Sequence, residues 1–537
     1  MRYIRTSQEA EQNAAARMRA MGFRDAEVTP NGADGGVDVR TASALAQVKW
    51  RGAVVSRSDV QKLVGARGDD VGKHLLFFTA SGYSAYAVEY ADRHRIALFI
   101  YEPHGEISVK NATAADFVSV PDIAVPHDTK VQVVDQSVLD CPGPNLDSLS
   151  SLHSADIYKA GRLAGSIARR PGNCTEFRYS PSYDGPPLAS TLPLSCERVR
   201  CDKGAVPPFF AGLLPEGNRL TMLARAASVG VEDELSLLLA VGGDTPGDVQ
   251  VFPAGTTPVE ARALANCSVV DELEFDHTVH SIDRHAIPGA QDKVSASIAT
   301  ARASGVSGRF ILKLSQLSYP YLIENEAAHL TAARALKLPV ATADLVHDRS
   351  GQLGLLVRRF DRVHEGGSWH RLAFEDATQV LGLPPSAKYN IDAIDVVEAL
   401  AGRVDTPLLA ARNLYLQFLF AWLSGNGDLH GKNAGVLRDG TGRWVVAPIY
   451  DIPCTLIYGD DSMALPIAGR TKGLRAKHWA QFAAEIGLPA KAAISAQRLA
   501  LRACATVDFD GLPFTGSPRN RTLRELRLRR AELEDSL

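Results

Sequence analysis

The chain has 537 residues, too many for one hydrophobic core, so several domains are expected. With 45% hydrophobic and 22% charged residues and a net charge of −3, its composition is that of a globular protein and excludes coating of nucleic acid by bulk charge, leaving only a local patch for that role. No apolar run is long enough to span a bilayer, the opening "MRYIRTSQEA" lacks an apolar signal core, and the seven cysteines stand singly, so reduced thiols, no membrane contact and a cytoplasmic location are expected.

Residues 1–118 alternate helical and strand-like patterns. "EQNAAARMRAMGF" predicts a helix ending near Gly22, "GGVDVRT" and "ALAQVKW" predict strands, and "HLLFFTA" and "IALFIYE" predict buried strands with the helical "YSAYAVEYADRH" between them. Together they make an α/β domain. Asp38 lies on one strand pattern, and Gln47 and Lys49 lie on the next, where alternation turns both to one face. A hairpin would gather a carboxylate, an amide oxygen and an ammonium, a set suited to metal-assisted phosphodiester hydrolysis. A Gly-rich turn with a surface lysine accounts for these residues alone equally well.

The pieces "EQNAAARMRAMGF", "GADGGVDV", "AQVKW" and "FFTASGYSAYAVEYADRHRIALFIYE" resemble the Mrr-like restriction endonuclease family over about residues 9–104. The resemblance implies a restriction-endonuclease-like α/β domain with DNA as its ligand. It places the family's D…Q-x-K pattern on Asp38, Gln47 and Lys49, with Asp38 as a metal ligand, Glu11 as the first-helix glutamate and Asp34 as an auxiliary. Glutamine in place of the more usual glutamate removes one charge from the metal site. With 15 Lys and Arg against 14 Asp and Glu in residues 1–120, any DNA contact would come from a patch.

Pro, Ser, Asp and Gly cluster in residues 119–152 as in a linker, although "VQVVDQSVL" could add a strand. Strand patterns resume at "DIYKAGRLAGSIA" and "TEFRYSPSY", followed by helices through "FFAGLLPEGNRLTMLARAA" and "DELSLLLAVGG" and a second break near 255–282. From 283 a Gly-bearing loop and strands precede a part expected to turn largely helical from about 322. The Arg-rich tail, 506–537, is expected to end in a solvated helix with paired charges, with a nucleic-acid or partner contact as the alternative.

The densest chemistry is "SGNGDLHGKNAGV", residues 424–436. Phosphoryl transfer needs a positioning carboxylate, ligands for Mg²⁺ and cations on the phosphates. Protein kinases put the base Asp and a metal-binding Asn five positions apart on one loop, the separation of Asp428 and Asn433 here. "WVVAPIYDIP" then supplies a strand-end Asp451, and magnesium favours such hard oxygen ligands. Upstream, "GRFILKLS" puts Lys313 in a buried strand pattern, where an ammonium needs a partner. Glu324 and Glu326 on the following helix are the candidates. In "IPGAQDKVSASI", Gly289 permits a tight turn whose N–H groups could hold phosphate, and Lys293 adds charge. Taken singly, each of these is more often a polar turn or a snorkelling lysine. It is their order along the chain that points to a kinase.

"FFAGLLPEGNR", "IPGAQDKVSASI", "FILKLS", "ENEAAHLTAARALKLPVA", "VRRFDR", "LGLPPSAKYN", "GNGDLHGKN" and "PIYDIP" resemble, in order, the HipA-type serine/threonine kinases, toxins of bacterial toxin–antitoxin pairs, over about residues 153–505. The resemblance implies a HipA N-terminal subdomain at 153–257 and a catalytic domain at 283–505, with a mixed α+β N-lobe and a mainly helical C-lobe. It implies ATP and Mg²⁺ as cofactors, Asp428 as catalytic carboxylate, Asn433 and Asp451 as metal ligands, and Lys313, paired with Glu326, as the phosphate lysine. Gly289, Ala290, Gln291 and Lys293 become the phosphate loop. Arg359 and Phe360 lie near the adenine hinge, and His430 and Lys432 beside the transferred phosphate. A protein substrate (an aminoacyl-tRNA synthetase at family level), a small HipB-like antitoxin and DNA at the N-terminal domain are the implied partners. Ala286 stands where the family often carries an autophosphorylated serine, which puts that off-switch in doubt unless Ser295 or Ser297 serves instead. Three readings stay open: a kinase whose N-terminal domain senses or cuts DNA, an endonuclease regulated by a kinase-like half, and a non-catalytic DNA-binding regulator.

Overall fold

The structure, a computed structural model, describes residues 7–29, 37–49, 55–67, 70, 72–80, 82–101, 107–118, 146–258, 265–266, 275, 298–305, 308–315, 319–365 and 367–537. The chain divides into two compact units, Met1–Val134 and Asp135–Leu537. The expected phosphate loop, Asp34 and the strand pattern "VQVVDQSVL" lie outside the described residues.

The first unit contains α1 (Ser7–Ala20), β1 (Glu27–Val28), β2 (Val39–Arg40), β3 (Ala44–Lys49), α2 (Arg57–Arg67), β4 (His74–Thr79), α3 (Ala85–Arg93), β5 (Ile96–Tyr101), β6 (Ile107–Val109) and α4 (Ala112–Val118). Its six strands follow chain order across one sheet, with β3, β4 and β5 parallel and the remaining neighbours antiparallel. Parallel strands covered on both faces need apolar residues at successive positions, which is why "HLLFFT" and "IALFIY" show no polar alternation. Leu76, Phe78, Ala97 and Phe99 pack with Ala14 and Met18 of α1 on one face. Leu75, Phe77, Ile96 and Leu98 meet Val60, Leu63, Ala87 and Ala91 of α2 and α3 on the other.

The first described element of the second unit is the 3₁₀ turn Leu146–Ser151, whose Leu149 is buried in the core of the sheet that follows, so folded chain is present before residue 152. That sheet is formed by β7 (Ser154–Lys159), β8 (Arg162–Arg170), β9 (Cys174–Tyr179), β10 (Val199–Cys201) and β11 (Val249–Pro253), in the antiparallel order β10-β9-β8-β7-β11. The helices α5 (Pro208–Ala211), α6 (Asn218–Ala226) and α7 (Glu234–Val241) accompany it, and Phe177, Phe209, Phe210 and Leu237 share its core.

A second five-stranded sheet contains β12 (Ala265–Asn266), β13 (Ile298–Gly305), β14 (Gly308–Ser315), β15 (Ala343–His347) and β16 (Leu353–Arg358), in the order β12-β13-β14-β16-β15, with α8 (Leu322–Ala333) inserted between β14 and β15. β17 (Arg362–Glu365) and β18 (Ser368–Arg371) form a hairpin, and β19 (Phe374–Asp376) joins β20 (Gly435–Arg438) and β21 (Trp444–Val446). Strands therefore continue to residue 376, and the helix-rich part begins there, not at 322. These strands are three to six residues long and broken by turns such as Gly351 (φ +83°), too short to show their period.

The C-lobe is built on α9 (Ala377–Val380), α10 (Ala393–Ala401), α11 (Pro407–Ser424), α12 (Ala476–Glu485), α13 (Ala490–Cys504) and α14 (Gly516–Glu534). α11 is buried almost throughout, through Leu414, Tyr415, Phe418 and Trp422, against Trp479 and Phe482 of α12 and Ala496 and Ala500 of α13. The expectation of a solvated tail is corrected. One face of α14 buries Leu526 and Leu533, and Arg529 donates to the carbonyls of Trp422 at 2.9 Å and Asp461 at 3.1 Å. No helix among the described residues is long and apolar enough to cross a membrane, and the five described cysteines are free thiols.

His329 of α8 is fully buried. Burial pushes its pKa down to about 4, while its Nδ1 bonds the Asn325 carbonyl oxygen at 2.8 Å. The unfolded chain therefore takes this proton near the ordinary value of 6.5 and the folded chain only near 4. Stability is full above 6.5 and falls through that window by about 1.4 kcal/mol per pH unit. The His329→Leu variant should lose this slope when urea midpoints are measured from pH 7.5 to pH 4.5.

Candidate active sites

The C-lobe site starts where α11 stops. Gly425 adopts φ +79° and ends the helix, and the chain turns back through Asn426, whose N–H donates to the Ala421 carbonyl at 2.8 Å. Gly427 passes so close to the following loop that a Cβ would lie 2.4 Å from the Ser462 carbonyl oxygen, so no other residue fits. Gly427 N–H donates to Thr455 Oγ1 (2.7 Å) and Asn426 Nδ2 to the Pro453 carbonyl (2.7 Å), stitching this loop to the one carrying Asp451. Asp428 is 1% exposed. Its N–H meets Asn426 Oδ1 at 3.2 Å and its carbonyl accepts from Asn433 Nδ2 at 2.8 Å, which commits the amide nitrogen of Asn433 inside the loop and leaves its oxygen for a hard cation.

Lys313, from β14, meets two carboxylates at once. Its Nζ donates to both oxygens of Glu326, at 2.7 and 3.0 Å, and to Asp451 Oδ1 at 2.8 Å. Burial alone would push this amine down, but Asp451 and Glu326 outweigh burial and hold it protonated well above the ordinary lysine value. Burial raises Glu326, with Lys313 opposing it. Of the two glutamates open from sequence, α8 turns Glu326 inward and leaves Glu324 half-buried. The neighbouring Asn325 exchanges two bonds with Cys454, Nδ2 to its carbonyl and Oδ1 from its N–H, both 2.9 Å, so one helical turn fixes the Asp451 loop twice. Asp451 itself holds φ +59°, a left-handed backbone rare for a non-glycine residue and of the strained kind that clusters at functional sites.

Asp428, Asn433, Lys313, Glu326 and Asp451 thus form one connected constellation. His430 lies beside it, its ring edge-on to Tyr389 at 4.9 Å. Phe360 packs on Phe374 (5.7 Å) and Tyr450 (5.5 Å). Two expected nucleotide contacts are corrected. The Lys432 ammonium turns away, to Asp376 Oδ2 at 2.6 Å and the Gly212 carbonyl at 3.0 Å. Arg359 lies in a buried cluster with Arg362, Asp244 and Asp361: it donates to Asp244 at 2.8 Å and Asp361 at 2.9 Å, and Arg362 donates to the same two carboxylates at 3.0 and 2.7 Å. Burial and Arg359 push Arg362 down to about 10. Each of these cations also reaches the N-terminal subdomain, Lys432 at the Gly212 carbonyl and Arg359 at Asp244, a relation that no local motif encodes. Tyr389, Glu216, Asp376, Asn325 and Asn426 were not foreseen. "PEGN" and "AKYN" lie inside quoted motifs, but their side-chain roles depend on tertiary contact.

In the first unit, Asp38 N–H pairs with the Ala46 carbonyl (2.9 Å), and Asp38 Oδ2 accepts from Val48 N–H at 2.6 Å, which sets the carboxylate against β3. Gln47 and Lys49 alternate onto one face of β3, as expected. Gln47 Oε1 is buried without a hydrogen-bond partner, an oxygen available to a cation beside Asp38. Lys49 pairs with Asp59 at 2.7 Å, a partner on α2 missed in the sequence, and holds its carboxyl down to about 2. Glu11 is half-buried on α1. Among the described residues no cluster of three or more His, Cys, Asp or Glu has metal-binding geometry. Each site offers two oxygen donors and would take the rest from phosphate or water, the usual condition for Mg²⁺.

Three family models match: the HipA N-terminal domain at 155–252, the HipA-like C-terminal domain at 285–507, and a restriction endonuclease at 5–102. The Y4mE protein of Sinorhizobium fredii, named as a candidate kinase, is 30% identical over 372 residues, covering 62% of this chain and 86% of that protein. The serine/threonine-protein kinase toxin HipA of Shewanella oneidensis is 28% identical over 53% of this chain and 70% of its own. The solved structure of Shewanella oneidensis HipA, in complex with HipB and operator DNA, superposes with a TM-score of 0.57 and 22% identity over 71% of this chain and 97% of that one, which shows a shared fold. The chain belongs to the HipA-like kinase family and carries, ahead of the kinase, a domain of the restriction endonuclease family.

Proposed function

We propose that the second unit is an ATP- and Mg²⁺-dependent serine/threonine protein kinase of toxin–antitoxin or phage-defence type. The observation that carries this is Lys313 bonded to Glu326 and Asp451 while Asp428 and Asn433 occupy the adjoining loop. Lys313 supplies the cation for the nucleotide phosphates, with Glu326 aiming it. Asp428 accepts the proton of the attacking serine or threonine hydroxyl. Asn433 and Asp451 are the residues that would hold Mg²⁺, which would supply positive charge against that developing on the phosphates. The HipB in the relative's complex makes a HipB-like antitoxin the partner to test, and an aminoacyl-tRNA synthetase, which the family resemblance implies, is the substrate to test.

Full-length protein, γ-labelled ATP and bacterial lysate provide the test. The Asp428→Asn variant should bind ATP normally and transfer label about 10²–10⁴-fold more slowly. An undiminished rate would remove Asp428 from catalysis. The Lys313→Met variant should lose ATP affinity and about 3–5 kcal/mol of stability in urea, because two carboxylates are left facing each other without their cation.

For the first unit we propose metal-dependent DNA cleavage, supported by Asp38, just ahead of β2, and the unpartnered Gln47 oxygen on the adjoining β3. Lys49 would stabilise charge on the phosphodiester and must exchange Asp59 for it. The Asp38→Ala and Lys49→Ala variants should stop strand breakage in supercoiled plasmid while gel-shift binding persists. Cutting by either variant at the wild-type rate would leave the domain a DNA-binding module.

A further inference from the structure

Tyr389 lies between the 3₁₀ turn Pro385–Ala387 and α10, and its hydroxyl donates to Asp428 Oδ1 at 2.9 Å. The segment carrying it is held from three sides. The Lys388 carbonyl accepts from Gly431 N–H in the catalytic loop at 3.1 Å. The Lys388 ammonium, 2% exposed, donates to Glu216 Oε2 at 2.5 Å and lies 5.2 Å from the centre of the Tyr389 ring. The Tyr389 ring in turn meets His430 edge-on.

Glu216 belongs to the N-terminal subdomain, in the loop between α5 and α6. Its second oxygen, Oε1, is buried without a hydrogen-bond partner and faces Lys432 Nζ at 3.9 Å, and Lys432 is also bonded to the Gly212 carbonyl of the same loop. One loop of the N-terminal subdomain thus reaches the catalytic loop at two points: at Asp428 through Lys388 and Tyr389, and at Lys432 directly.

A carboxylate turns freely about its last torsion unless something holds one oxygen. The bond from Tyr389 holds Oδ1 and so sets the plane in which the carboxylate faces an acceptor hydroxyl. Burial and the Asp428 charge push the phenol's pKa far up, so Tyr389 remains a donor at neutral pH.

We infer that Tyr389 is a positioning residue for Asp428, held by the Lys388–Glu216 pair, so that the N-terminal subdomain sets the geometry of phosphoryl transfer. The inference rests on the reading of Asp428 as the base. The opposite role for the same contact, a phenol competing with the acceptor for Asp428, predicts the opposite change in rate.

The test uses the full-length chain, γ-labelled ATP and heat-treated bacterial lysate as acceptor, with melting temperature recorded for every variant. The Tyr389→Phe variant should lower the maximal rate about tenfold, with the KM for ATP and the melting temperature unchanged. The Glu216→Gln variant should also slow transfer, and the double variant should be no slower than the slower single one, since both changes cut one chain of contacts. A purely structural role would instead lower the melting temperature and give additive losses, which overturns the inference. So does a Tyr389→Phe rate equal to or above wild type while Asp428→Asn is inactive. A wild-type chain that transfers no label, or an Asp428→Asn variant as fast as wild type, removes the kinase reading and the positioning role together.

Discussion

The second unit depends on one ammonium group. Lys313 is the only link in its triad that both carboxylates share, and it joins a strand and the helix that follows it, β14 and α8, to the distant Asp451 loop. Neither carboxylate would be kept beside the other without it, because two like charges in a buried place repel and burial already raises Glu326. Desolvating three charges is costly, and only the short, simultaneous bonds offset the cost. Strand, helix and loop are thus fixed relative to one another by electrostatics, and the apolar core of α11 fixes the loop of Asp428 against them.

Around that centre the constraints are reciprocal. Asn325 locks the loop that follows Asp451 through two bonds to Cys454, while Asn426 and Gly427 tie the catalytic loop to the same segment. Tyr450, next to Asp451, donates to the Lys432 carbonyl at 2.6 Å, closing the circuit from the other side. A site of this kind is rigid because each loop is the other's scaffold.

What could be read beforehand was whatever is local. The continuous apolar runs of β4 and β5, the Asp428–Asn433 spacing and the lysine in "FILKLS" each reflect a relation within a few residues, and in the structure Lys313 meets Glu326 and Asp451 while Asn433 bonds the Asp428 carbonyl. The choice between Glu324 and Glu326 was not local, since it depends on the phase of α8 against β14. Lys432 and Asp376 lie 56 positions apart, and Arg359 and Asp244 lie 115 apart, so a cation near a motif read as a ligand contact when its partner was a distant carboxylate. In α14 the apolar pair Leu526 and Leu533, seven apart, was hidden among six arginines. The phosphate loop falls outside the described residues and stays an expectation.

The buried seam of Arg359, Arg362, Arg371, Asp244 and Asp361 bears on how such chains evolve. It holds three cations against two anions, with the carbonyls of Thr245, Gly247 and Gly243 completing the coordination. A gene recombined between β11 and β13, with the N-terminal subdomain of one lineage and the kinase lobes of another, would separate Asp244 from the other four charges and bury unmatched charge. Exchange of the subdomain alone is therefore expected to destabilise the chain, and substitutions along the seam are expected to arise in compensating pairs.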